Sequence, residues 1–150
     1  MHREIYVPPM QPGDVPAPSR EIYAHMGEAG IFAMMADFYA ELARSDIRHL
    51  FPAQDMLRAS QKSALFFIGL LGGPPLYLQA HGNPMMRARH MQFQIDEGAR
   101  NMWLACFETI LAQAVARYNF PAQHLDGFRA FLNGFSMWMV NTKSSATQEK

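Results

Sequence analysis

Apolar positions recur along this chain at spacings of three and four residues, and nowhere do they alternate as a half-buried strand would. Ile31, Met34, Met35, Phe38, Tyr39 and Leu42 fall on one face of a helix expected over residues 30–44. Trp103, Cys106, Phe107, Ile110, Leu111 and Ala114 form a similar stripe on a helix expected over 96–117. A third stripe, Phe128, Phe131, Leu132, Phe135 and Met139, follows Pro121, which stands near a first-turn position. A fourth helix, over 55–71, starts at Asp55, a candidate cap. It stops at "GGPP", because two glycines and two prolines cannot continue it. A short helical turn is expected before "LFP". The pattern predicts an all-α fold.

The ends of the chain read differently. Five of the ten prolines fall within residues 8–18, so residues 1–20 are expected to form an extended Pro-rich tail outside the core. Residues 144–150 read as a short disordered tail, which leaves one domain over 21–143. At 150 residues and 49% hydrophobic content, the chain is long enough to bury a sizeable core. Lys+Arg and Asp+Glu both number 13, so no net field draws it to nucleic acid or to an anionic membrane. The single cysteine, Cys106, excludes an internal disulfide and suggests a reducing, cytoplasmic setting. No signal peptide or membrane-length apolar run is present.

The familiar chemical motifs are missing. There is no HExxH, no cysteine pair for zinc, no GxSxG elbow and no GxxxxGK[ST] loop. "LLGGPP" has glycines but neither the lysine nor the preceding strand of a phosphate loop. The acidic residues are scattered, and their spacing nominates no general acid and base. Cys106 reads as a small buried apolar residue, since no base is evident beside it. What stands out is "GNPMMRARHMQFQ", residues 82–94, which sets His90 after Arg87 and Arg89 and between apolar side chains. A flat, apolar partner with an anionic edge would suit that environment.

The run "GGPPLYLQAHGNPMMRARHMQFQID", followed by "MWLACF", resembles the signature of the group II truncated haemoglobins. In that family a GG-P-x-x-Y element leads through "HGxPxxRxRH" to the haem-ligating histidine, and a tryptophan follows thirteen residues later, as Trp103 follows His90. "DFYAEL" resembles the family's Phe-Tyr pair, and "HLFP" its aromatic-Pro element. The resemblance covers roughly residues 21–142. It implies a two-over-two helical sandwich around haem b, in which His90 is the proximal iron ligand.

The other assignments follow from the resemblance. Arg87 and Arg89 cannot both face the same way from one helix, and Arg89, adjacent to the ligand, is the one expected at a haem propionate. Lys62 aligns with a position that often reaches a propionate. Tyr77 lies in the element that borders the haem edge, and Met86, Met91 and Phe93 suit the apolar wall. On the distal side, Tyr39 and Trp103 are expected to point into the ligand pocket. Phe38 would line its back, and Phe51 would pack on the porphyrin. A distal histidine is replaced by Ala59, with Ser63 as the next inward position, although a shift of one residue would bring in Ser60. Ligation by two histidines is disfavoured, with His49 the remote candidate.

The implied function is binding of O2 and other small ligands (CO, NO or sulfide) at His-ligated iron. Hydrogen bonds from Tyr39 and Trp103 would stabilise the ligand. The alternatives are a redox enzyme, such as an NO dioxygenase or a peroxidase-like activity, and a helical interaction domain without haem. An enzyme would need an external reductase, because no flavin or nicotinamide fingerprint is present. The sequence leaves monomer or homodimer open.

Overall fold

The structure, a computed structural model, describes residues 4–52 and 54–143. Seven α-helices make up most of the described chain, and no strand occurs among the described residues. Two pairs organise them. α1 (Ile22–Ala43) packs on α2 (Met56–Leu70), while α5 (Glu97–Leu111) packs on α7 (Leu125–Met139), and α1 also touches α5. Between the pairs run two short helices, α3 (Leu76–His81) and α4 (Met86–His90), and α6 (Ala114–Tyr118) closes the corner against α1. This is the expected all-α sandwich of two helices over two.

Three boundaries depart from the periodicity, each for a physical reason. α1 begins eight residues earlier than the expected residue 30. Gly27, at φ 70 and ψ 171, breaks it into two helical pieces, and this conformation hides the first piece from a continuous period. The helix expected over 96–117 is really α5 and α6, separated where Gln113 leaves helical geometry (φ −118, ψ 4). No Gly or Pro marks that break. It turns Tyr118 towards α1, where its hydroxyl donates to the Asp37 carboxylate. Pro121 lies not in α7 but before a 3-10 turn, Ala122–His124, that leads into it. The turn expected before "LFP" is present as the 3-10 turn Arg48–Leu50. Asp55 occupies the N-cap of α2, but its side chain makes no capping hydrogen bond.

The "GG" stop has a second use. Gly72 adopts φ +109, and a Cβ there would sit 1.8 Å from the Arg20 carbonyl oxygen. The backbone that leads into α1 therefore lies directly against the end of α2, and the Tyr23 amide donates to the Leu71 carbonyl (2.9 Å).

The Pro-rich segment corrects an expectation. It is extended apart from one short 3-10 turn (Pro12–Asp14), yet it does join the body of the protein. Val15 packs against the core. Pro16 fits over Gly134, where the missing side chain lets its Cδ approach within 3.1 Å of the Cβ position. Further out, the Tyr6 amide donates to the Asn141 carbonyl (2.8 Å). The tail expected over 144–150 lies outside the described residues.

The core is strongly aromatic. Phe38, Phe107, Phe120 and Phe128 are all at most 1% exposed, and Phe107 meets Phe38, Phe67, Trp103 and Phe128 at ring distances of 4.1–6.0 Å. No helix among the described residues is long and apolar enough to cross a membrane. Cys106 is buried within this core, and burial pushes its thiol up.

Candidate functional site

Between the two helix pairs lies a cavity of about 360 Å³, within the ~300–1,000 Å³ typical of small-molecule sites. α1 supplies Phe38 and Tyr39, and the turn after it supplies Leu50 and Phe51. α2 contributes Ala59, Lys62, Ser63, Phe66 and Phe67, a stripe at helical spacing that faces inward as a unit. Tyr77, Met86, Arg89, His90 and Phe93 form the opposite wall, and Trp103 closes the end from α5. The structure thus brings twelve of the thirteen proposed site residues to one surface.

Met91 is the exception. It stands beside His90 just past the end of α4, where neighbouring residues diverge by about a quarter turn. Its sulfur lies 3.9 Å from the Asn141 amide nitrogen and not on the cavity wall. The Ala59–Ser63 register also holds, because Ser60 turns away to donate to the Leu57 carbonyl (2.6 Å). His49 is exposed and lines a neighbouring hollow of about 720 Å³, beyond the shared wall of Ile47, Leu50, Phe93 and Ala99.

His90 carries the clearest chemistry. Its Nδ1 lies 2.6 Å from the Met86 carbonyl oxygen. A carbonyl only accepts, so Nδ1 holds the proton and Nε2 is left with its lone pair. Nε2 has no hydrogen-bond partner among the described residues. Burial pulls the imidazole below its usual range, partly offset by the Met86 bond, and the Lys62 charge lowers it further. A neutral imidazole of fixed tautomer is the form that binds a transition metal. Among the described residues no group of three or more His, Cys, Asp or Glu could hold a bare metal ion. A metal here would have to bring most of its own ligands.

The charges on the wall have one sign. Lys62, Arg89 and Arg100 line the cavity, and no Asp or Glu does so among the described residues. Arg89 sits with its guanidinium 5.4 Å from the Tyr77 ring centre and donates to the His81 and Asn83 carbonyls (both 2.9 Å). Tyr77 therefore meets Arg89 through its ring face. Arg87 points elsewhere, as a neighbour two residues away must.

Opposite His90, the Tyr39 hydroxyl lies 2.6 Å from Ser63 Oγ, and either oxygen can donate. Burial pushes the Tyr39 phenol up, opposed by that bond, so it keeps its proton. Trp103 packs edge-on against Phe38 (5.5 Å), and its indole N–H has no hydrogen-bond acceptor among the described residues. Both polar tips stand on an otherwise apolar wall.

Sequence reasoning missed Arg100, which is 9% exposed and stands one turn before Trp103. It bonds Glu97 (2.6 Å), Ser136 (3.1 Å) and the Asn133 side chain (2.7 Å), pinning α5 to α7. Only the Glu97–Arg100 spacing was visible locally.

The family model of bacterial-like globins matches residues 21–141. The chain is a bacterial-like globin. It is 36% identical over 87 residues to Group 2 truncated hemoglobin YjbI of Bacillus subtilis (strain 168), a match covering 57% of this chain and 65% of that one. The match thus spans just under two thirds of that curated relative's length. Among solved structures, phosphate-bound Hell's gate globin IV superposes with a TM-score of 0.78 at 35% identity, covering 87% of this chain and 81% of that one. The group II truncated hemoglobin from Bacillus anthracis gives 0.75 at 28%, covering 84% and 93%. A globin fold implies haem as its bound group. The cavity fits that group: one unpartnered imidazole nitrogen, aromatic walls, and Lys62 and Arg89 as cations for an anionic edge.

Proposed function

We propose that this globin holds haem b in the 360 Å³ cavity and reversibly binds O2, and also CO, NO or sulfide. The observation that carries the reading is the His90–Met86 bond, which leaves Nε2 as a bare donor atom facing an apolar, cation-bearing cavity. Haem, when bound, would supply an iron able to take a nitrogen from the protein and a small ligand. Every other contribution is the chain's own. His90 is the proximal ligand, and Met86 fixes its tautomer. Arg89 and Lys62 neutralise the propionates, while Phe38, Phe51, Tyr77, Met86 and Phe93 hold the flat ring.

Across from His90, Tyr39 and Trp103 each present an N–H or O–H donor to the partial negative charge of a bound diatomic. Ser63 orients the Tyr39 hydroxyl, and Ala59 is too small to block the approach of a ligand. A hydrogen bond to a charged group contributes ~1.5–3 kcal/mol. Such a bond slows ligand escape roughly ten- to hundredfold. Among the described residues no carboxylate, and no imidazole other than that of His90, lines the cavity to act as a distal base beside Tyr39, which favours binding over a peroxidase-like role. Under this reading the protein works in the cytoplasm, and any redox turnover, such as NO oxidation, draws electrons from a separate reductase.

The test is the absorption spectrum of the purified protein, ferric and then dithionite-reduced under CO. An intense Soret band that sharpens and shifts with CO is expected. No Soret band, even after addition of haemin, would overturn the assignment.

A further inference from the structure

The His90 helix cannot support itself. α4 has five residues, far below the ~12–15 at which an isolated helix becomes even marginally stable. Its register must be imposed from outside, and two polar side chains, the half-buried Arg87 and the buried Asn141, do this.

Arg87 lies three residues before His90, on the same short helix. Its Nη1 donates to the Trp138 carbonyl and to the Val140 carbonyl (2.8 Å), and its Nη2 donates to the Tyr6 carbonyl (2.8 Å). The guanidinium also lies 4.9 Å from the centre of the Trp138 ring. A cation placed on the last carbonyls of α7 meets groups that the helix itself leaves without donors, at the negative end of its dipole.

Asn141 is fully buried, at 0% exposed. Its amide Nδ2 donates to the carbonyls of His90 (3.3 Å) and Phe93 (3.0 Å), and its Oδ1 accepts from the Ile95 amide (3.0 Å). Its own backbone amide donates to the Ile95 carbonyl (2.9 Å). From outside, the Tyr6 amide donates to the Asn141 carbonyl, so residue 6 touches both side chains' anchor points.

We propose that Arg87 and Asn141 are positioning residues for the His90 imidazole, and that the N-terminal segment around Tyr6 is a strap that locks them. The role rests on the reading of His90 as the iron's proximal ligand. The clamp sets where the imidazole stands and how far it can tilt, so it governs the strength of the proximal bond and not merely whether the chain folds. It also gives the Pro-rich segment a function: held extended along the C-terminal end of α7, the segment delivers the Tyr6 peptide group to this point.

The experiment measures the iron–histidine stretching band of the ferrous, ligand-free protein by resonance Raman, together with amide hydrogen exchange. Arg87→Met and Asn141→Ala are expected to shift and broaden the band and to speed exchange across residues 86–95 by about tenfold or more relative to α1. Arg87→Lys, which keeps the charge but not the fork, should lie between wild type and Arg87→Met. Arg129→Gln, which loses only surface ion pairs to Glu108 and Asp126, should leave the band in place. If Arg87→Met does not fold, Tyr6→Pro, which removes the strap's amide donor together with the Tyr6 side chain, should give the same shift at smaller size, with Tyr6→Ala as the control for the side chain. An unmoved band and unchanged exchange in Asn141→Ala, Arg87→Lys and Tyr6→Pro, in proteins that keep a Soret band, would overturn the clamp. A wild type that never takes haemin would instead overturn the proposed function. Exchange across 86–95 would then decide alone whether the two residues order the segment.

Discussion

The two walls of the cavity are built by different physics. The distal wall stands on long helices: Tyr39 on α1, Ser63 on α2 and Trp103 on α5, each rooted in the aromatic core around Phe38 and Phe107. The proximal wall hangs on a helix of five residues whose place is set by directed hydrogen bonds from Arg87 and Asn141. Close packing spreads a disturbance through many contacts. Hydrogen bonds to single carbonyls are local, so one lost partner moves one segment. Distal changes should therefore register in global stability or in ligand kinetics, and proximal changes in the imidazole itself.

The largest expected effect lies on the proximal side. His90→Ala removes the unpartnered imidazole nitrogen and should abolish most haem retention, with little change in the helical circular dichroism of the haem-free protein. A variant that purified with a normal Soret band would mean that another group ligates the iron. Next comes the distal foundation. Phe107 is 0% exposed and meets four aromatic rings, and large aromatic truncations in cores cost ~3–5 kcal/mol. Phe107→Ala should lower the unfolding free energy of the whole protein, read from urea melts, by that order while the iron–histidine band stays in place. A moved band without lost stability would erase the distinction between the walls.

The distal polar tips should act more narrowly. Tyr39→Phe removes the hydroxyl while keeping the ring packed against Phe38 (5.6 Å) and Phe51 (5.6 Å). Stopped-flow O2 dissociation should then speed up by roughly ten- to hundredfold, the worth of one charge-assisted hydrogen bond, with stability almost unchanged. An unaltered rate would transfer the role to Trp103 alone.

How much of this could be read from the residues follows the same divide. Helical period places Phe38 and Tyr39, because α1 buries one face along several turns, whereas Ala59, Lys62 and Ser63 were legible only through the resemblance and Phe66 and Phe67 were not singled out. His90, Arg89, Tyr77 and Phe93 were legible only through the longer run "GGPPLYLQAHGNPMMRARHMQFQID", since so short a helix carries no period. Arg100 and Asn141 were not legible at all. Buried polar side chains look like surface ones until their partners are known, and these partners lie 33–36 residues downstream and 46–51 residues upstream. The break at Gln113 was hidden for a related reason: no local breaker marks it, and the Tyr118–Asp37 bond that accompanies it spans 81 residues. The Pro-rich segment misled because proline content reports stiffness and not where a stiff segment docks.

The smallest effect concerns the brace behind the distal wall. Tyr118 is 6% exposed and donates to the Asp37 carboxylate, one residue before Phe38. Burial, and then the Asp37 bond and charge, push its phenol up to about 12 from 10.0. A raised pKa means that the folded state keeps the proton longer than the unfolded chain does. The resulting stability is fully present below 10.0 and is lost as pH rises through about 12. Tyr118→Phe should therefore cost about 1 kcal/mol near neutrality, and the gap to wild type should shrink between 10.0 and about 12. Urea melts at several alkaline pH values, read beside the phenolate absorbance, test this directly. A gap constant across that window would mean that Asp37 holds Tyr118 no more firmly folded than unfolded. The distal wall would then rest on apolar packing alone, which is the purest form of the contrast with the clamp on His90.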